Sequence, residues 1–173
     1  MWVFGYGSLL WNPGFDPAEA VTARLSGYRR SFCMSSIHHR GTEAEPGLVL
    51  ALDAEDGQVC TGVALRVADG REDAVLAYLR ERELVSAAYV ERHVRLRLKD
   101  GREVEALAYV IERGHAQYCQ LSLEDQAHRI AHAVGGRGPN VEYLENTAAH
   151  LDGMGIVDAD MAWLVARVRA LRA

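Results

Sequence analysis

Apolar and polar residues change rhythm several times along this chain, and the changes divide it into elements. Residues 2–6 alternate apolar and small side chains, the pattern of a short buried strand. Tyr6-Gly7-Ser8 interrupts it, and Asn12-Pro13-Gly14 turns the chain. From about Thr22 to Ser36, Leu25, Tyr28, Phe32 and Met34 predict a long strand. Leu48 to Leu52 predicts another, Glu55-Asp56-Gly57 closes a turn, and Val59 to Val67 returns as its partner. At Arg71 the pattern shifts. Residues 72–85 are rich in Ala, Leu, Glu and Arg, with Val75, Leu76, Leu79 and Leu84 as an apolar stripe, which predicts a helix. Val90 to Leu98 alternates cleanly with charged residues, Asp100-Gly101 is a hairpin signal, and Val104 to Ile111 pairs back. Three more helices are expected: from Ser122 or Leu123 to Val134, from Asn140 to about Leu151, and from Asp158 to Leu171. Ser122 with Asp125, Asp158, and Asn140 with Glu142 in the first turn read as their N-terminal caps.

Strands, one helix, a hairpin and then helices do not form the strict alternation of a doubly wound sheet. The order predicts an α+β domain with a mostly antiparallel or mixed sheet, curled into a small barrel. The 173 residues suit one domain, 1–173, with a sizeable core. Hydrophobic residues at 49% and charged residues at 25% are ordinary for a globular chain. No apolar run is long enough to cross a bilayer, so no membrane partner is expected. Met1 leads straight into Trp2-Val3-Phe4 without the basic and apolar regions of a signal peptide, which predicts a cytoplasmic location. The formal charge of −5 disfavours nucleic acid as the main partner but leaves room for a small anionic substrate. Cys33, Cys60 and Cys119 stand far apart without CxxC spacing, which argues against a disulfide framework or a structural zinc site.

Four places carry candidate chemistry. Tyr6-Gly7-Ser8-Leu9-Leu10-Trp11 follows a strand between Gly5 and Gly14, where backbone N–H groups can turn toward a carboxylate or an oxyanion; a tight turn with aromatic packing is the plainer account. On a helix over 72–85, Glu83 lines up with Leu79 and Leu76, so its carboxylate is partly desolvated, as suits a general base; a helix-end glutamate paired with Arg80 or Arg82 is the plainer account. Glu81 points to the opposite face. His38-His39-Arg40-Gly41 holds adjacent histidines that on a strand face opposite ways and cannot easily share a metal, whereas Arg40 is a candidate anion anchor. His128 and His132 have ligand spacing but no HExxH glutamate, and fit a solvated helix face. Tyr143, in Asn140-Val141-Glu142-Tyr143-Leu144, either packs in the core or presents its hydroxyl to a site.

Taken in order, these segments resemble the ChaC family of γ-glutamylcyclotransferases. The family's Y-G-S-L-x-W stands as Tyr6 to Trp11 and its H-R-G-[ST] as His39-Arg40-Gly41-Thr42, followed by Pro46-Gly47. Its Y-L-x-x-R-E stands as Tyr78 to Glu83 and its N-x-E-Y-L as Asn140 to Leu144, so the match runs from residue 2 to about 155. The resemblance implies a γ-glutamylcyclotransferase-like fold, a small mixed β-barrel surrounded by helices. It implies an enzyme that cleaves glutathione to 5-oxoproline and Cys-Gly without metal or cofactor. Glu83 is then the catalytic acid/base. The amides of Gly7, Ser8 and Leu9 after Tyr6 hold the γ-glutamyl unit, and Arg40, Tyr89 and Tyr143 complete substrate binding. Other γ-glutamyl amino acids or amines as substrates, a non-catalytic γ-glutamyl-binding module, and a metal-dependent hydrolase built on the histidines are the alternatives. One departure bears on the pocket. Family members commonly carry Gly-Gly where this chain has Ala87-Ala88 before Tyr89. Alanine is strained if the backbone there needs positive φ, and narrows the pocket if the glycines only make room.

Overall fold

The computed structural model describes residues 1–173, which divide into two compact units: Met1–Ser31 with Ala51–Ala116, and Phe32–Leu50 with Gln117–Ala173. Five strands form a closed barrel: β1 (Trp2–Gly5), β2 (Glu19–Ser36), β3 (Gly47–Arg66), β4 (Tyr89–Leu98) and β5 (Glu103–Ile111), in the order β1-β3-β2-β4-β5. The barrel closes where β1 runs parallel to β5, with Val3 opposite Leu107. The expected α+β class and mixed barrel are what the chain adopts. One helix, α1 (Glu72–Glu83), connects β3 to β4. The second unit carries α2 (Leu123–His132), a two-residue pair β6 (Val134–Gly135) and β7 (Gly138–Pro139), α3 (Asn140–Gly153) and α4 (Ala159–Arg172).

The alternation read from the sequence fills the barrel. Phe4, Leu25, Leu52, Ala64, Val94, Leu96, Leu98, Ala106, Ala108 and Val110 form one buried cluster. Glu91, His93 and Arg95 alternate with them on β4 and pair with Tyr109, Leu107 and Glu105 on the outer face. The β4–β5 hairpin turns at Asp100-Gly101, where Gly101 has φ +92. The β3 hairpin is hidden in one unbroken run of extended backbone. Gly5 to Trp2 pair antiparallel with Val63 to Arg66, yet Leu52 pairs parallel with Val110 of β5, itself parallel to β1. The chain therefore points in opposite directions at Leu52 and Val63. It reverses within the exposed stretch 54–59, where Gly57 has φ +81.

Helix ends follow local chemistry in two cases and depart from it in three. Ser122 Oγ accepts from Asp125 N at 3.1 Å and Asp158 Oδ1 from Met161 N at 3.0 Å, so both expected caps form. α1 stops at Glu83 rather than at residue 85, because the chain then bends through Ala87, at φ +55, to enter β4. α2 stops at His132 rather than at Val134, because Val134 pairs with Pro139 in the small sheet. Asn140 is not the cap of α3 but its first residue, completely buried. Its Oδ1 accepts from Leu48 N and its Nδ2 donates to Leu48 O, both at 2.8 Å, which completes the hydrogen bonding of a strand position 92 residues away. The three cysteines are unbridged. No helix is long and apolar enough to cross a membrane.

Candidate active site

β1 ends at Gly5, and the next residue anchors the turn that follows. Tyr6 is 7% exposed and its ring joins the barrel core, where its hydroxyl donates to Tyr109 O at 2.7 Å. Its carbonyl accepts from Arg30 Nε at 2.6 Å, and Arg30 Nη2 also donates to Thr61 O. Ser8–Leu10 then form one turn of 3-10 helix, with Leu10 N bonded to Gly7 O and Trp11 N and Asn12 N to Ser8 O. The amides that open the turn, at Ser8 and Leu9, have no acceptor inside it, as at any helix start. The aromatic packing reading holds for Tyr6.

Glu83 is the last residue of α1. Val75 and Leu79 are the buried residues of α1, Leu79 completely, and Glu83 follows Leu79 by four positions on the same stripe. Its side chain is 15% exposed and lies 3.2 Å from Arg82 Nε, the pairing expected of a helix-end glutamate. Burial and pairing go together here, since a carboxylate largely removed from water needs a compensating charge. The sequence offers Arg82 only as a partner for Glu83. Its Nη2 donates to Ser8 Oγ at 2.9 Å, and its Nη1 to Asn12 O at 2.5 Å and to the Tyr78 hydroxyl at 3.2 Å. One guanidinium thus touches both the 8–12 turn and Glu83.

Beside Glu83 on the outer face of the barrel lies an acid–tyrosine pair. Arg80 grips Glu91 with Nε at 3.0 Å and Nη2 at 2.8 Å, and the Tyr109 hydroxyl donates to Glu91 at 3.2 Å. The hydrogen bond from Arg80 holds the Glu91 carboxyl below its ordinary value, with Tyr109 adding to the effect. Burial first, then the charges of Glu91 and Glu83, push the Tyr109 phenol well up, so it stays protonated as a donor. Tyr89 is half-buried at the start of β4, opposite Ile111. Immediately before it, Ala87 is the one non-glycine residue with positive φ. The conformation that favours glycine is therefore present where this chain has alanine.

Arg40 and Tyr143 belong to the second unit. The Arg40 side chain is 9% exposed; its Nη1 donates to Pro139 O at 3.1 Å and lies 3.5 Å from Glu142 Oε2. Its guanidinium carbon sits 6.0 Å from the Tyr143 ring centroid. Glycines make this close packing possible: a Cβ on Gly41 would run into the backbone of Gly47 and Ser36. Tyr143 takes the core option. It is 6% exposed, meets Phe32 edge-on at 6.1 Å, and its hydroxyl accepts from Leu50 N at 3.2 Å. His38 and His39 are exposed, and their carbonyls accept from Gly136 N and Arg137 N. His128 and His132 lie on the exposed face of α2, with His128 Nε2 3.1 Å from Glu124.

The chain resembles known proteins over its whole length. The family model described as ChaC-like protein matches residues 1–171. Gamma-glutamylcyclotransferase 2-3 of Arabidopsis thaliana is 34% identical, covering 98% of this chain and 88% of the relative. The glutathione-specific gamma-glutamylcyclotransferase of Escherichia coli K12 is 35% identical, covering 100% of this chain and 74% of that protein. The crystal structure of a yeast gamma-glutamyl cyclotransferase specific to glutathione superposes with a TM-score of 0.90, at 23% identity, over 99% of this chain and 96% of that one. That superposition establishes the shared barrel fold, while the family match and the two relatives establish descent: this chain belongs to the ChaC-like protein family.

Proposed function

We propose that this chain is a γ-glutamylcyclotransferase that cleaves glutathione to 5-oxoproline and Cys-Gly, and that Glu83 is its acid/base. The observation that carries the reading is the Glu83 carboxylate, 15% exposed and paired with an arginine that also bonds Ser8 of the family's opening motif. The name of the Escherichia coli relative supports glutathione as substrate. The family model runs through both units, which supports one catalytic domain, and the three unbridged cysteines are in keeping with a cytoplasmic location.

The chemistry needs little more than position. The γ-glutamyl unit carries its own nucleophile, so holding the α-amine against the γ-carbonyl turns the reaction into a ring closure. At neutral pH the amine is mostly an ammonium without a lone pair. Glu83 removes that proton, the new N–C bond closes the five-membered lactam, and the bond to cysteine breaks. Glu83 then gives its proton to the departing amine as that bond breaks, takes the remaining ammonium proton from the ring nitrogen as the lactam forms, and is reset when the released amine takes up that second proton and leaves as an ammonium. The Ser8 and Leu9 amides, with Gly7 before them, hold the α-carboxylate or the developing oxyanion. For Arg40, charged and largely buried, the anion-anchor reading is supported by the family's H-R-G-[ST] segment. The assignments of Tyr89 and Tyr143 are supported by the family motif. Because the Tyr143 hydroxyl serves Leu50 N, its part in binding runs through placement of the β3 backbone. No step calls for a metal or a redox group.

The alternative substrate class is γ-glutamyl amino acids or amines, and the departure that bears on this choice is Ala87-Ala88, which stands where the family commonly has Gly-Gly. The deciding experiment incubates purified protein with glutathione and with a panel of γ-glutamyl compounds, and measures 5-oxoproline and Cys-Gly by mass spectrometry. Glu83→Gln keeps the shape and removes the proton shuttle. The expected outcome is product from wild type and a loss of at least about 100-fold in kcat for a folded Glu83→Gln protein. Near-normal turnover by that variant would sink the mechanism.

A further inference from the structure

Arg82 does more than pair with its neighbour. Its side chain is 10% exposed, and each edge of the guanidinium meets a different group. Nη2 bonds Ser8 Oγ, Nη1 bonds Asn12 O and the Tyr78 hydroxyl, and Nε faces Glu83 Oε1. Tyr78 lies one helical turn before Arg82, and its ring sits against the bare Cα of Gly14, where φ is +78 and a Cβ would overlap the phenol. The last turn of α1 therefore clamps the loop from Ser8 to Gly14, and the same arginine lies alongside the carboxylate that ends the helix. Ring closure demands that the groups holding the substrate and the group moving its proton keep a fixed spacing. Ser8 and Asn12 are 74 and 70 residues away from Arg82 along the chain, so nothing local sets that spacing.

We propose that Arg82 is a positioning residue that registers the Ser8–Leu9 amides against the Glu83 carboxylate, an inference that rests on the roles assigned to those groups above. A planar fork is required. A lysine at this position keeps the charge but presents three donors from one point and cannot reach Ser8, Asn12 and Glu83 together.

The test compares Arg82→Lys, Ser8→Ala and the double variant in glutathione cyclisation, with thermal unfolding and amide hydrogen exchange of residues 7–12 measured alongside. Arg82→Lys is expected to fold, to lose roughly 10- to 100-fold in kcat with a smaller change in KM, and to exchange the turn amides faster. Ser8→Ala is expected to cost less, and the double variant no more than Arg82→Lys alone, because both remove the same contact. Wild-type kcat in Arg82→Lys, losses that multiply in the double variant, or unchanged exchange in the turn each overturn the inference. Should Arg82→Lys fail to fold, Tyr78→Phe combined with Ser8→Ala loosens the fork while leaving the guanidinium. It is then expected to show the faster exchange and lower kcat, and wild-type behaviour overturns the proposal. A wild type that cyclises no γ-glutamyl compound overturns the reading of function instead, and hydrogen exchange still judges the clamp.

Discussion

Ala87 is where a single residue type is at odds with the backbone it occupies. Its φ of +55 lies in the left-handed region, where a Cβ crowds the following carbonyl at a cost of about 1–2 kcal/mol. Glycine escapes that cost but surrenders roughly 0.5–1 kcal/mol of chain entropy on folding. Ala87→Gly is therefore expected to stabilise the protein by roughly 0.5–1 kcal/mol, read as a higher urea midpoint with unchanged slope. A lower midpoint would contradict the left-handed turn. Ala88, next to it, is fully buried, so its methyl group takes up packed volume. The two alanines differ in kind: one adds backbone strain, the other adds bulk.

At the scale of elements, α3 meets β3 through a side chain that imitates a strand. Asn140 supplies one donor and one acceptor to Leu48, and Tyr143, on the next part of the same helix, accepts from Leu50 N. Alternate positions of the strand are thereby satisfied by a helix. Asn140→Ala leaves a buried N–H and a buried C=O on Leu48 without partners, at about 1–3 kcal/mol for each unsatisfied group. The expected loss is roughly 2–6 kcal/mol in equilibrium unfolding, and a loss below about 0.5 kcal/mol would show that water or a shifted strand replaces the amide. A cap is typically worth about 1 kcal/mol, below the middle of that range. The measurement therefore separates the observed role of Asn140 from the one its position after Pro139 suggests.

For the whole molecule, the clearest pH dependence comes from carboxylates held by arginines. Glu91 is lowered chiefly by its hydrogen bond from Arg80, Glu19 by Arg102, and Glu124 by Arg167. A carboxyl whose folded value lies below its ordinary 4.5 releases its proton more readily in the native state. Each contributes stability that is present above about pH 4.5 and lost as the pH falls through the lower folded value. Stability is thus expected to decline below pH 4.5, and Arg80→Met to be more destabilising at pH 7 than at pH 3. An equal effect of Arg80→Met at both values would show that the Arg80–Glu91 pair contributes nothing through charge.

Much of this architecture is legible in the residues alone, because it rests on neighbours a few positions apart. Strand alternation fills the barrel, Gly57 and Gly101 mark the two reversals, and Ser122 and Asp158 cap helices by reaching three residues ahead. The stripe through Leu79 places Glu83 on the protein side for the same reason: helical periodicity is local. What periodicity cannot reach is partner choice across the chain. Nothing near Arg82 announces Ser8 and Asn12, and nothing near Asn140 announces Leu48. Both side chains have an ordinary local use, as a helix-end charge and as a cap, and local rules select that use. The tertiary structure replaces that use for Asn140 and adds to it for Arg82, because burying a guanidinium or an amide is costly unless its donors are met, and the groups that meet them arrive only when strands and helices distant in sequence have packed.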